Sequence, residues 1–285
     1  LRNEIDNQEV YIRKIFDEFL PNFVFVRLGN YLSNEIVKYM RKSSITILYL
    51  GDSLQLYPEM KEKVFDYDAV FSYENSDVDI LRSKGINVYP LMGVYDKTQY
   101  YPLKIIKDID ISFIGAMYDE RIKILKRISK DFSEFKLLFI GNYSKKKYLI
   151  DYIFHFNKKM RLSYMNTTVN FREANEIYNR SKICLNLNRK EANTGWNSRL
   201  CEILGTQSLQ VVNYNKIVLD EFGDGIVTFT DYDDLKDKIQ YFLTNDLDRN
   251  EIARKGYNAV SKHTNDAKLR EVIDIVLELK NIHEK

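Results

Sequence analysis

Thr194–Val212, TGWNSRLCEILGTQSLQVV, holds the single tryptophan of the chain, an arginine and a glutamate three positions apart, and a glycine ahead of an apolar run. From about Asn197 onward Leu200, Ile203 and Leu204 recur at helical spacing, so one stripe of a helix faces a core. SLQVVNY (208–214) then reads as a strand, and so does the Asn-rich KICLNLN (182–188) upstream. A strand, a helix and a strand in that order form a right-handed βαβ crossover and commit the region to a parallel sheet. Packing does not explain the polar residues. Arg199 and Glu202, at i and i+3, form a surface ion pair in one reading, stabilising by only about 0.2–0.5 kcal/mol. In the other, Glu202 accepts hydrogen bonds from two adjacent sugar hydroxyls, its two oxygens matching a diol. The NTGWN turn (193–197) would then offer backbone N–H groups and the positive end of the helix dipole to a diphosphate. Spacing alone leaves the two readings level.

The same alternation extends outward on both sides. A helix over 7–20 leads to apolar strands at 21–29, 45–53, 69–74 and 86–93, separated by helices at 33–43, 57–67 and 75–85. YDKTQYYPLKIIKDID (95–110) has no period and reads as a linker. The pattern restarts with ISFIGA (111–116), a helix at 119–132 and KLLFIG (136–141), and a mixed stretch follows as far as Thr168. Helix 170–181 precedes the opening unit, and strand 225–230 and helices 231–245, 247–263 and 265–285 close the chain. The expected class is α/β, with two Rossmann-like doubly wound parallel-sheet domains over 1–107 and 108–268. The closing helix, 269–285, is free to pack back on the first domain.

Bulk properties narrow the function. At 285 residues the chain suits two ordinary domains, and 45% hydrophobic residues exclude disorder. Forty-three basic against 41 acidic residues argue against a dedicated nucleic-acid binder. NYSKKKY (142–148) reads first as a solvated helix start, and second as a patch for docking an acidic surface. Cys184 and Cys201 lie in apolar elements and have no metal-ligand spacing, which fits reduced core thiols and a cytoplasmic protein. No signal-peptide pattern and no apolar run near about 18 residues is present, so no membrane span is expected. His155, His263 and His283 are scattered, and the acidic runs at 77–79, 108–110 and 231–234 are weak metal candidates, the last being better read as a helix cap.

Two further positions stand at strand ends. Gly115 follows a strand and precedes a helix, so its backbone can approach an anion, with Arg121 near the helix start to pair with phosphate. The plain alternative is a turn glycine and a solvated arginine. Asp52 directly follows a buried strand, where it serves as a general base or caps the next turn.

The segments DISFIGAMYDERIKIL, NRSKICLNLNR, GWNSRLCEILGTQSLQVV, FGDGIVTFTDYDDLKDKIQYFL, RNEIARKGYNAV and HTNDAKLREVI, taken in order, resemble GT-B-fold glycosyltransferases. They are similar in particular to the group of the spore-maturation protein CgeB, with Arg199, Glu202, Leu235, His263, Thr264 and Arg270 at its motif positions. The resemblance covers about 108–272 and, more loosely, the chain from Pro21. It implies transfer of a hexosyl-type sugar from a nucleotide-sugar donor, such as a UDP-sugar, to an acceptor hydroxyl, without metal or cofactor. It implies that Glu202 holds the ribose, with Gly115, Arg121, Asn197 and Arg199 near the diphosphate. Thr194 stands where many such enzymes have a glutamate contacting the donor hexose, so it joins the donor-side residues without identifying the sugar. The first domain is shorter than the GT-B norm, hence reduced or truncated, and Asp52 is its candidate base. His263 is read as packing a C-terminal helix. Two rivals are kept: a nucleotide-sugar epimerase of the same fold and a catalytically degenerate donor-binding scaffold.

Overall fold

A computed structural model describes residues 2–189 and 194–283, and divides the chain into two compact units. The first comprises Leu1–Gly93, Arg189–Trp196 and Asp266–Lys285. Its elements are α1 (Arg2–Phe19), β1 (Phe23–Arg27), α2 (Asn34–Met40), β2 (Ile45–Leu50), α3 (Met60–Lys63), β3 (Ala69–Ser72), α4 (Asn75–Ser83) and β4 (Val88–Pro90). The four strands are parallel and lie in the order β1-β2-β3-β4. β2 and β3 read as unbroken apolar runs because they are covered on both faces. Phe16, Ile36, Val37 and Met40 pack in one core with Leu48 and Val70. Val272, Val276 and Leu279 of the last helix (α13 below) pack with Ile45, Ile47, Ala69 and Phe71 in another.

The helix expected at 57–67 shortens to the single turn α3 and a 3-10 turn over Val64–Asp66. Met60, Val64 and Tyr67 are buried at intervals of three and four, so two short turns suffice to bury them. The loop before it is held from elsewhere. Asp77, one of the weak metal candidates, is 1% exposed and accepts hydrogen bonds from Leu54 N (2.9 Å) and Ser53 Oγ (3.5 Å). Burial pushes its carboxyl up, and these two donors oppose the shift. An Asp77→Ala variant should lose about 2 kcal/mol of unfolding free energy in a urea titration, because it orphans a buried N–H. Unchanged stability would show that the loop is held by other groups.

The second unit comprises Val94–Asn188 and Asn197–Asn265. It contains β5 (Ile109–Ile114), α5 (Asp119–Asp131), β6 (Leu137–Ile140), α6 (Lys145–Ile150), α7 (Lys158–Ser163), β7 (Tyr164–Met165), α8 (Phe171–Arg180) and β8 (Ser181–Asn186). α9 (Ser198–Gly205), β9 (Leu209–Asn213), α10 (Lys216–Phe222), β10 (Val227–Phe229), α11 (Tyr232–Thr244) and α12 (Asp246–Val260) complete it, and α13 (Asn265–His283) follows. Six parallel strands run in the order β10-β9-β8-β5-β6-β7. Connections therefore leave the β5–β8 pair in opposite directions, and the carboxyl ends of these two strands flank the switch point where such sheets bind ligands.

The aperiodic stretch after Tyr95 stays without regular structure as far as Ile109 and lies within this unit. Side chains satisfy its backbone: Asn175 Oδ1 accepts from Tyr101 N (3.1 Å) and Asn179 Oδ1 from Leu103 N (2.7 Å). Lys107, its ammonium pushed down by burial, donates to the Asn179 and Ser181 carbonyls and to Ser208 Oγ. The mixed stretch before Thr168 resolves into α6, a π turn over Asp151–His155, α7 and the edge strand β7. α10 has no counterpart in the sequence reading. Its seven residues are too few for a periodic signal, and the Asn215 side chain starts it by capping Ile217 N and Val218 N.

Candidate functional site

The carboxyl end of β5 makes the floor of the site in the second unit. Gly115 N donates to the Ile140 carbonyl and Met117 N to that of Asn142, both at 2.9 Å, so the chains leaving β5 and β6 stay zipped together. There is no room for side chains. A Cβ on Gly141 would lie 1.8 Å from the Gly115 carbonyl oxygen, and one on Gly115 would lie 2.8 Å from Arg199 Nη2. The bare backbone at Gly115 thus lets the Arg199 guanidinium settle against it.

Arg199 comes from the first turn of α9, the helix that follows β8. Its Nη1 donates to Asn186 Oδ1 at 3.5 Å, and its Cζ is 5.9 Å from the Phe113 ring centroid. Arg121 approaches the same ring, at 5.6 Å, and the Tyr118 ring at 4.9 Å. Its Nη1 donates to the Ala116 carbonyl at 2.7 Å, and the side chain is buried. Arg121 is therefore no solvated arginine. It braces the loop after β5 and adds a second positive charge beneath the site.

Asn197 caps α9, its Oδ1 accepting from Leu200 N at 3.1 Å. Its Nδ2 donates to Asn188 Oδ1 (2.8 Å) and Asn186 Oδ1 (3.3 Å), while Asn186 Nδ2 donates to Gln210 Oε1 (2.8 Å). Gln210 Nε2 reaches the Leu200 carbonyl at 3.1 Å. This amide network fixes the start of α9 relative to β8 and β9, and so fixes Arg199. Asn186, Asn188 and Gln210 were not singled out from the sequence. The only available signal was polar side chains inside otherwise apolar strands, which is what a satisfied buried network requires.

Glu202 lies one turn further along α9 and is half-buried. Burial pushes its carboxyl up from the ordinary range, and the nearby Arg199 charge pulls it partly back. Among the described residues no cation stands within ion-pair distance of Glu202, and its carboxylate accepts no hydrogen bond. The surface pair with Arg199 is thus not formed. Instead Glu202 neighbours two phenols: burial first, and its negative charge second, push Tyr100 up to about 12 and Tyr178 well above its ordinary value. Gly115, Arg121, Asn197, Arg199 and Glu202 thus all gather at the switch point of one sheet.

The other two sequence candidates lie in the first unit. Asp52 sits half-buried on the loop after β2, and its charge bears on Tyr57 and Tyr73, both pushed up mainly by burial. Thr194 donates to Glu74 Oε2 through its N (2.9 Å) and its Oγ1 (2.5 Å), and its Oγ1 accepts from Ser76 N (3.1 Å). Trp196 Nε1 donates to the Gly93 carbonyl at 2.9 Å. Asn193 of the NTGWN turn lies outside the described residues. His263 packs on the Phe222 ring and contacts Glu221 Oε1 at 2.9 Å.

The acidic runs have structural partners. Asp108 binds Arg180 and Lys136, Asp110 binds Lys182, and Asp231 caps α11. Among the described residues no three His, Cys, Asp or Glu side chains are placed to hold a metal ion, and no helix is long and apolar enough to cross a membrane.

No curated protein matches the chain in sequence. Among solved structures, sucrose-phosphate synthase from Thermosynechococcus elongatus is similar at a TM-score of 0.69 and 10% identity, over 98% of this chain and 77% of its own. TarM gives 0.69 and 13%, over 92% of this chain but only 57% of its own. An alpha-glucosyltransferase in complex with UDP and a 13-mer DNA containing an HMU base gives 0.67 and 13%, over 90% and 80%. At such identities the likeness shows the fold alone, which is GT-B: two parallel sheets, here of four and six strands. Residues 121–274, more than half of the chain and including most of the site, match the model of a family described as glycosyl transferase-like. The chain belongs to that glycosyl transferase-like family.

Proposed function

We propose that the protein transfers a hexosyl-type sugar from a nucleoside-diphosphate donor to an acceptor hydroxyl, and that within its family it falls in the CgeB-like group. The observation that carries the transfer reading is Glu202: a desolvated carboxylate without a protein partner among the described residues, one helical turn from an arginine seated on a glycine floor at a sheet switch point. A vicinal diol of ribose supplies the two donors that such a carboxylate accepts. Arg199, with Arg121 beneath it and the N-terminus of α9 beside it, stabilises the charge that grows on the departing diphosphate. In this reading guanidinium and helix dipole supply that stabilisation, and no metal is required. UDP is the first donor to test, since one similar structure was solved with UDP. No observation favours the epimerase or the scaffold.

The test is a thermal-shift panel of UDP-, GDP- and dTDP-sugars on the wild type, followed by an assay of donor turnover. A bound donor raises the unfolding midpoint by mass action. No shift with any of the three would sink the reading. Asp52 is proposed as the base that accepts the acceptor's proton, supported by its place after β2. An Asp52→Asn variant should lower transfer about 100-fold, the lower range for a lost general base, with the donor-induced thermal shift intact. Unchanged turnover would remove Asp52 from the mechanism.

A further inference from the structure

Residues 142–168, running from the end of β6 through the edge strand β7, contribute to the site above only the Asn142 carbonyl that holds Met117 N. The inner side chains of this run explain its folding. Tyr148, Phe156, Met160 and Tyr164 join the main core, with the Tyr148 and Tyr164 ring centroids 5.6 Å apart and those of Phe156 and Tyr164 5.8 Å apart. The outer side chains have no such explanation. Leu149, Ile150, Ile153 and Phe154 are exposed and recur at i, i+1, i+4 and i+5 of one helical run, hence on one face. Arg161 Nη2 donates to the Ile153 carbonyl at 2.9 Å, which lays α7 alongside and brings in its neighbour Leu162. Phe154 is 75% exposed and Leu162 76%. A patch of this kind marks an interaction surface.

Its charge indicates the partner. Six of the 43 basic residues fall between 142 and 168 but only one of the 41 acidic ones, Asp151, which is already engaged by Tyr143 and His155. Lys145, Lys146, Lys158 and Arg161 are exposed, as is Lys147, which pairs with Asp119. Lys123 and Lys126 of α5 add to them, lining with Lys147, Ile150, Asp119 and Asp151 a cavity of about 350 Å³. We propose that this face docks on an anionic phospholipid bilayer, its apolar ridge entering the interface and its lysines meeting the headgroups. Exposed aliphatic and aromatic side chains flanked by cations are what such a surface binds. A second copy of the face would bring like charges together, which disfavours self-association as the occupant.

The test is co-sedimentation of the full chain with vesicles of phosphatidylcholine alone and of phosphatidylcholine with about one third phosphatidylserine. Binding to the anionic vesicles only, weakened by salt, is expected. Lys145→Glu/Lys146→Glu and, separately, Phe154→Ser/Leu162→Ser should each lower the partition coefficient about tenfold or more. All four positions are exposed, so the thermal midpoint should match the wild type and certify folding. Failure of the wild type to bind either vesicle overturns the proposal. So does binding that neither folded double variant reduces, or equal binding to neutral vesicles. A concentration-dependent dimer abolished by Phe154→Ser/Leu162→Ser, without vesicle binding, would assign the face to a second copy instead.

Discussion

Replacing Glu202 with alanine should weaken nucleotide-sugar binding about 100-fold or more, since two hydrogen bonds to a charged carboxylate contribute roughly 1.5–3 kcal/mol each. The apo protein should not suffer. Glu202 sits desolvated without a compensating partner among the described residues, so its removal takes away an unfavourable term. Loss of ligand affinity at undiminished stability separates a binding carboxylate from a structural one. Calorimetric titration of the preferred nucleotide against both proteins reads the first quantity, and urea unfolding reads the second. Equal affinities would remove Glu202 from the site. The pH dependence has a definite sign. Because burial raises the folded carboxyl above its unfolded value, the folded protein holds this proton more tightly. The resulting stability is fully present below the unfolded pKa and is lost as pH rises through the folded one. Donor binding runs the other way, since hydroxyls donate to the carboxylate and not to the acid, so affinity should rise with pH through the same window. A Glu202→Gln variant should flatten both curves.

Gly141→Ala should destabilise the second unit by about 3 kcal/mol or more, a large effect for one methyl group. A Cβ at this position would stand 1.8 Å from the carbonyl oxygen of Gly115 and 2.7 Å from its carbon. Both are backbone atoms, so no rotamer change relieves the clash and the end of β5 must move. That movement breaks the Gly115 N–Ile140 O and Met117 N–Asn142 O bonds and displaces the floor on which Arg199 rests. Gly115→Ala differs in kind. Its new methyl meets the far end of the Arg199 side chain at 2.8 Å, and that end can swing away, so donor affinity should fall more than stability. A urea midpoint for Gly141→Ala close to that of the wild type would mean that the two strand ends part easily.

The architecture was readable because its signals are long. A strand such as 45–50 is a nearly continuous apolar run, and α5 and α11 carry more than three turns of helical period. What escaped the sequence was short or nonlocal. α3 shrank to one turn and α10 appeared from a seven-residue run with no period to read. In the site, the gathering of Gly115, Arg121 and the α9 residues follows from strand order: Ser112 of β5 and Cys184 of β8 are 72 positions apart, yet pair directly in the sheet. Periodicity reports which face of a strand is buried and says nothing about which strand lies beside it. For the same reason the Asn186–Asn197–Gln210 network and the Thr194–Glu74 contact were invisible, the latter spanning 120 positions.

The return of α13 to the first sheet has a consequence for how the chain acquires its structure. Val272, Val276 and Leu279 cover Ile45, Ile47 and Phe71, so one face of this sheet is closed by residues made some 200 positions later. The second unit ends at Asn265. On a ribosome it can therefore finish folding while the older sheet still waits with an apolar face uncovered. Until α13 has emerged, that waiting face is open to aggregation and to chaperones.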